Sequence, residues 1–235
     1  MCYNINKMLS ICVLNWDGLP LTRKFVESIK KNTPASFELI MVDNGSSDGS
    51  QEYIRQVASK YHFFEKNVGF ARGFNKAMSL AAGEYIAICN NDTEFPADWL
   101  PKLKQTFDAD PLSGLVYPCY TSGQKIALRW WPGRNIRLLP RFNKELPAGV
   151  AIFSKTAIIR DKLGGFSEEF EIAGGEDLDL CFKAWAAGYN IYIDERVLIK
   201  HRGGATSHLK LPNWRELYTK NGDRFQAKWK EWLRS

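Results

Sequence analysis

The chain has 235 residues, 45% of them hydrophobic, with a net charge of +6 and a pI near 9.0. That length suits one domain with a full core, and no stretch approaches the roughly 20 apolar residues that a membrane span needs. The basic balance points to acidic partners (nucleic acid, anionic lipid or phosphorylated substrates) and by itself does not choose among them.

Asn4, Asn6 and Lys7 before a short apolar run make a poor signal peptide, and Ser10 to Asn15 reads as a first buried strand ending in the polar turn Trp16-Asp17-Gly18. Leu21, Phe25, Val26 and Ile29 have helical spacing, and that helix stops before Pro34. Phe37 to Val42 is the second strand. The loop Gly45 to Gly49 leads to a helix carrying Tyr53, Ile54 and Val57, with Asp48 or Ser50 as its cap. A short strand from Tyr61 to Glu65 follows. A helix then runs through Met78 to Ala82 and ends at Gly83, before the strand Tyr85 to Cys89. This alternation is that of a doubly wound parallel sheet flanked by helices.

Beyond Asp92 the alternation weakens. Pro96 to Phe107 reads as a helix and Leu115 to Tyr117 as a strand. Ser122 to Leu146 has little periodicity but holds Arg129, Arg134, Arg137, Arg141, Trp130 and Trp131. The run Gly149 to Phe153 is apolar. Ile158 to Leu163 is helical and ends at Gly164-Gly165, and a helix from Leu178 to Ala187 ends at Gly188. Tyr189 to Ile193 and Arg196 to Lys200 are strands. The C-terminal segment repeats Trp214, Leu217, Tyr218, Phe225, Trp229, Trp232 and Leu233 at helical spacing among basic residues. Such a helix lies either on an anionic membrane or against the core. The five cysteines include Cys12, Cys89 and Cys181 in apolar runs. No two are spaced as CxxC, which reads as buried free thiols in a reducing compartment.

Four polar positions lie at or near the ends of apolar runs. Asp43 opens the turn Asp43-Asn44-Gly45, where an aspartate either shapes the turn or accepts the N3–H of a uracil or thymine ring. Asp92 closes Asn90-Asn91-Asp92 and suits a hard divalent cation bridging a diphosphate. Glu176, Asp177 and Asp179 open a helix, where the dipole favours acids. Asp179 is spaced to pair with Lys183, which leaves Asp177 as the candidate base. His201 follows a strand and can complete a metal shell. The glycines of Val68 to Gly73 match neither a dinucleotide fingerprint nor a P-loop. Acids at the C-terminal ends of strands place one site at the open edge of the sheet.

Four segments, Ser10–Asn15, Leu39–Ser50, Asn67–Asp92 and Ala148–Ala205, resemble in order glycosyltransferase family 2, the inverting GT-A transferases. The last is the most specific. It carries Pro147 to Ala151, Gly164 to Phe170, Gly175 to Leu180 and His201-Arg202-Gly203-Gly204, and is similar to a rhamnosyltransferase-like subgroup. Two positions depart from the pattern: Asn90 replaces the first acid of the DxD-type motif, and Lys183 stands where arginine is usual.

The resemblance implies a GT-A fold, with a Rossmann-like, mostly parallel central sheet flanked by helices, filling residues 1–235 as one catalytic domain. Residues 1–95 would bind the nucleotide sugar, 96–205 the acceptor, and 206–235 would form the amphipathic helical segment. Asp43, Asn44, Asn15, Arg72 and Asn91 would contact the nucleotide. Asp92 and His201 would hold Mn²⁺ or Mg²⁺, Asp177 would be the base, and Glu176, Trp130 and Trp131 would meet the acceptor. The implied reaction moves a sugar from a UDP- or dTDP-linked donor to a hydroxyl of a glycan or polyprenyl-diphosphate-linked acceptor. The expected setting is bacterial surface polysaccharide synthesis in the cytoplasm, or peripherally at the inner face of the plasma membrane. A nucleotidyltransferase of related fold is the alternative, but Ser10 to Gly18 offers none of the basic, Gly-rich loop it needs. A nucleic-acid-binding module is the non-enzymatic reading, resting on the pI and the arginines from Arg129 to Arg141.

Overall fold

The computed structural model describes residues 9–122, 125–126, 135–141, 149–172, 174–203 and 213–233. The chain runs β1 (Leu9–Asn15), α1 (Leu19–Asn32), β2 (Phe37–Asp43), α2 (Ser50–Val57), β3 (Lys60–Phe63), α3 (Phe70–Ser79), β4 (Tyr85–Asn90) and β5 (Thr93–Glu94). It continues with α4 (Trp99–Asp108), β6 (Ser113–Ser122), β7 (Lys125–Ile126), β8 (Ile136–Leu138) and β9 (Ala151–Lys155). A π-helical turn (Ala157–Lys162), α5 (Glu176–Ala186), β10 (Asn190–His201) and α6 (Trp214–Lys228) complete it.

One ten-stranded sheet holds the order β3-β2-β1-β4-β9-β6-β10-β5, with β7 paired to β6 and β8 to β10. The pairs among β3, β2, β1 and β4 are parallel, as the alternation predicts. The expectation of a mostly parallel sheet holds only there. Strand β9 lies antiparallel to both β4 and β6, while β6 and β10 are parallel. The reason is the connection: after β4 the chain no longer alternates strand with helix, so it need not cross over to the same direction.

The central strands are buried on both faces, which is why they read as continuous apolar runs. Ile11, Val13, Leu39, Met41, Ala87 and Cys89 pack with α1, α2 and α4, while Cys12, Ile40, Val42, Ile86 and Ile88 face the opposite core. That second core takes in Phe74 and Met78 of α3, Leu180 and Trp185 of α5, and Phe225 and Trp229 of or just after α6. The period of two along each strand thus sorts residues between two helical layers. Four described cysteines, Cys12, Cys89, Cys119 and Cys181, are free and buried, as expected; Cys2 lies outside the described residues. Among the described residues, no helix is long and apolar enough to cross a membrane.

Three local expectations are corrected. The two strands foreseen at Tyr189–Ile193 and Arg196–Lys200 are one strand, β10, whose pairing with β6 slips between Asp194 and Leu198. Buried Asp194 explains the slip, because its carboxylate gathers the Arg196 guanidinium and the Thr106 hydroxyl there. The helix α3 stops at Ser79, ahead of Ala82. Finally, Asp179 does not pair with Lys183, whose Nζ donates to the Gly165 carbonyl at 2.7 Å.

Asp179 belongs to the docking of α6. It is wholly buried, and its Oδ1 accepts from Lys228 Nζ at 2.8 Å and Trp229 Nε1 at 2.8 Å. Its Oδ2 accepts from the Ser167 hydroxyl. Phe182 packs its ring against Phe225 and Trp229 at 4.9 and 5.3 Å. Phe225 and Trp229 of the C-terminal stripe therefore meet α5 of the same chain, while Tyr218 and Trp232 stay exposed. Asp179→Asn is expected to cost about 1–3 kcal/mol, the scale of hydrogen bonds to charged groups. Chemical denaturation checks this; a stability equal to the parent's would mean that the carboxylate does not hold α6.

Candidate active site

The carboxyl ends of β1, β2 and β4 lie level, with Asn15 opposite Asp43 and Leu14 opposite Asn90. The strand order passes from β2-β1 to β4 at this edge, a topological switch point where open α/β sheets bind ligands. The predicted nucleotide contacts form one network there. Asn15 Nδ2 donates to Asp43 Oδ2 at 2.7 Å and to Ser46 Oγ at 3.0 Å. Asn15 Oδ1 accepts from Thr22 Oγ1 at 2.6 Å and from Asn91 Nδ2 at 2.9 Å.

Asp43 is fully buried. Besides Asn15 it accepts from the Ser46 amide at 2.8 Å, the Ser46 hydroxyl at 2.5 Å and Gln51 Nε2 at 2.9 Å. These four bonds fill the usual capacity of a carboxylate. The turn-shaping role is therefore present in full, and a base could meet Asp43 only by replacing one of these donors. Asn44 is different: its Nδ2 bonds Asn67 and Gly69, but its buried Oδ1 has no partner. Thr22, Ser46 and Gln51 were not singled out from sequence. Ser46 sits in a recognised turn, but nothing separates Thr22 or Gln51 from ordinary helix positions.

Asp92 and His201 are brought together by β5. Thr93 and His201 are paired across the antiparallel β5–β10 ladder, which puts His201 Nε2 3.3 Å from Asp92 Oδ1. Two ligands bound side by side on an octahedral Mg²⁺ or Mn²⁺ would stand about 3 Å apart, given metal–oxygen distances near 2.1 Å. The donor set, one carboxylate and one imidazole, thus fits such an ion. The buried His201 Nδ1 has no hydrogen-bond partner, and the ring meets Tyr120 edge-on at 5.6 Å. No group of three or more His, Cys, Asp or Glu residues clusters among the described residues, so waters and phosphate oxygens would complete the shell. A cavity of about 370 Å³ opens on this pair, bordered also by Lys24, Lys200 and Arg202. Cations around a metal pair suit a diphosphate.

The predicted base lies across the sheet edge. Gly175, with φ +96°, turns the chain into α5, a conformation that glycine adopts without strain. Asp177 follows, partly buried, and its Oδ2 accepts the Gly149 amide at 3.0 Å. A Cβ at Gly149 would stand 3.1 Å from Asp177 Cβ, a tight contact that would require Asp177 to shift by a few tenths of an ångström. Hydrogen bonding couples the residue before β9 to the start of α5, and Asn90 in turn donates its amide to the Val150 carbonyl at 3.0 Å. The Asn90–Asp92 turn and Asp177 are therefore two bonded steps apart.

Glu176 is almost fully buried, and its Oε2 has no partner. Burial first, and then the neighbouring Asp177 charge, push its carboxyl up to about 8. Burial also raises Asp177, against the pull of the Gly149, Leu178 and Asp177 amides.

Two sets of predicted residues are not gathered here. Arg72 lies on the exposed side of α3 with its Nε 3.3 Å from Glu168 Oε2, and it does not border the Asp92 cavity. Trp130, Trp131, Arg129 and Arg134 lie outside the described residues; Arg137 is in β8, where it pairs with Glu195.

The family model for Glycosyl transferase family 2 matches residues 10–164 of this chain. Among curated proteins, the uncharacterized protein y4gI of Sinorhizobium fredii is 28% identical over 256 residues. That match covers 95% of this chain and 28% of y4gI, so the chain spans little more than a quarter of that relative's length. The mannosyltransferase PcManGT from Pyrobaculum calidifontis, solved with GDP-Man and Mn²⁺, superposes with a TM-score of 0.69 at 21% identity. The overlap covers 94% of this chain and 63% of that one. TarS 1-349 of S. aureus, solved with UDP-GlcNAc, gives a TM-score of 0.69 at 16% identity over 93% of this chain and 66% of its own. At these identities the likeness is one of fold, and it is the expected GT-A fold.

Proposed function

This chain belongs to glycosyl transferase family 2, and from that premise we propose that it transfers a sugar from a nucleoside-diphosphate donor to an acceptor hydroxyl, inverting the anomeric carbon. The observation that carries the reading is the arrangement at one sheet edge: the Asp92–His201 pair in a cavity bordered by Lys24, Lys200 and Arg202 together with Glu94, and Asp177 held by Gly149 beside the same turn. The donor diphosphate lies in that cavity, against Lys24, Lys200 and Arg202. Asp92 and His201 would hold a Mn²⁺ or Mg²⁺, which would supply neutralisation of the departing diphosphate.

Asp177 takes the acceptor hydroxyl proton as the oxygen attacks C1. The new C1–O bond forms as the bond to the diphosphate oxygen breaks, and the diphosphate leaves with that electron pair. A single displacement inverts C1. Asn15, Asn44 and Asn91 frame the nucleotide side, with Asn44 Oδ1 a free acceptor for a base N–H. Glu176, kept neutral by its surroundings, can donate a hydrogen bond to a sugar oxygen.

The donor is UDP- or dTDP-linked and the acceptor a glycan or lipid-linked glycan of the bacterial surface. The reaction runs on the cytoplasmic side of the membrane. The solved relatives with UDP-GlcNAc and GDP-Man support the donor class, not the individual sugar.

A panel of UDP-, dTDP- and GDP-sugars, incubated with the protein and Mn²⁺ without acceptor, is expected to reveal slow hydrolysis of one donor class. If no donor is hydrolysed and none binds, the reading fails.

A further inference from the structure

Helix α6 lies beyond the residues matched by the family model, as does Asp177. Three observations tie the two together. Asn221, in the middle of α6, is fully buried. Its Nδ2 donates to the Glu171 carbonyl at 2.9 Å while its Oδ1 accepts the Glu171 amide at 3.3 Å. One side chain thus satisfies both backbone groups of a single residue. Around this contact, Lys220 Nζ lies 2.8 Å from Glu171 Oε1, and the Arg224 guanidinium donates to the Glu169 carbonyl.

The next residue is Ile172, with φ +58°. A β-branched residue in the left-handed region is a true outlier, costing on the order of 1–3 kcal/mol, and it persists only where the surroundings over-determine it. Ile172 is held from both sides. Asn221 fixes the residue before it, and the Ile172 carbonyl accepts the Phe70 amide, at the start of α3, at 2.7 Å. Downstream, Gly174 lies against the ring of Tyr218, a further α6 residue, and then come Gly175, Glu176 and Asp177. Past Asp177, α6 and the turn after it grip the chain again, through Lys228 and Trp229 on Asp179. Glu176 and Asp177, the first residues of α5, therefore lie between two points fixed by the C-terminal segment.

We propose that Asn221 is a positioning residue for the reaction: it holds Ile172 in its strained conformation and so aims Asp177. This rests on the reading of Asp177 as the base. The physical logic is leverage. Loss of the Glu171 clamp lets Ile172 relax to negative φ, and a change in one backbone dihedral swings the five residues that follow. A misplacement of about 1 Å at a catalytic group is worth about a hundredfold in rate. Donor binding, carried by the far side of the sheet edge, is untouched.

The test uses the full chain with Asn221→Ala, Asn221→Ser, and each combined with Ile172→Asn, since asparagine adopts the left-handed region readily. Asn221→Ala is expected to lower kcat about tenfold to a hundredfold with donor KM within about twofold of the parent. Ile172→Asn in the same chain is expected to recover most of that loss, because an unstrained residue needs no clamp. Amide hydrogen exchange over residues 174–178 is expected to quicken at least about tenfold in Asn221→Ala and to slow again in the double variant. The serine variant serves if the alanine variant does not fold. An unchanged kcat with unchanged exchange overturns the proposal, as does a loss that Ile172→Asn leaves in place. Faster exchange with no measurable transfer by the parent protein overturns the functional reading and leaves the clamp standing.

Discussion

Asp177→Asn is expected to lower kcat by about two to four orders of magnitude, the scale of general-base catalysis, with nucleotide affinity near the parent's. The substitution keeps the shape of the side chain and one oxygen to accept the Gly149 amide at 3.0 Å, so α5 should still start in place. What it removes is the basicity of the side chain proposed to receive the acceptor proton. It also removes the charge that helps push Glu176 up to about 8, so the Glu176 carboxyl should titrate lower in the variant. If a folded Asp177→Asn protein transfers sugar at near the parent rate, Asp177 is not the base and Glu176 becomes the next candidate. In the parent, raised Asp177 places the acid limb of kcat/KM above the ordinary aspartate range, with activity rising as pH climbs through it. Stability moves the other way. Glu176 has a folded value raised from 4.5 to about 8, so its contribution is complete below 4.5 and is lost as pH rises towards 8. Rising activity and falling denaturation midpoints across one pH window would mark the pair; a midpoint flat from pH 5 to 8 would contradict it.

Asp92→Ala should be almost as damaging, for a different reason. It leaves His201 alone at the cavity and removes the carboxylate on which a divalent ion would sit. Charge stabilisation by such an ion is worth several kcal/mol, so a loss of about a thousandfold is expected in a protein that remains folded. EDTA should reproduce the loss in the parent, and Mn²⁺ or Mg²⁺ should reverse it. A second readout needs no turnover: Mn²⁺ binding measured by its own paramagnetic signal in the presence of nucleoside diphosphate should weaken in Asp92→Ala. Full transfer by metal-free parent protein would sink the idea and shift the load to Lys24, Lys200 and Arg202.

The parallel half of the sheet was legible because its strands are buried on both faces and separated by helices with clear stops, such as Pro34 and Gly83. Beyond Asp92 the signals fade for physical reasons. Strand β9 enters antiparallel between β4 and β6, an order no local pattern encodes. β10 carries a slip around buried Asp194, which reads in sequence as a break. At the site, Asp92 and His201 could be named from their strand ends, but their meeting depends on the two-residue strand β5, too short to leave a periodic trace. Asp179 shows the limit of spacing arguments. Lys183 is at the right separation along the helix, yet Lys228 comes from α6 and takes the carboxylate. Asn221 left no sequence signal at all, because its partners are the backbone groups of Glu171, fifty residues away.

The network of Asn15, Thr22, Asp43 and Asn91 bears on how this protein can change over time. The four are buried and hydrogen-bonded to one another, with Asp43 also held by half-buried Ser46 and Gln51. Any single replacement strands a buried donor or acceptor, at about 1–3 kcal/mol each. Drift at these positions therefore needs concerted substitutions. If these residues frame the nucleotide as proposed, directed evolution aimed at changing it should begin with paired libraries at Asn15 and Asp43.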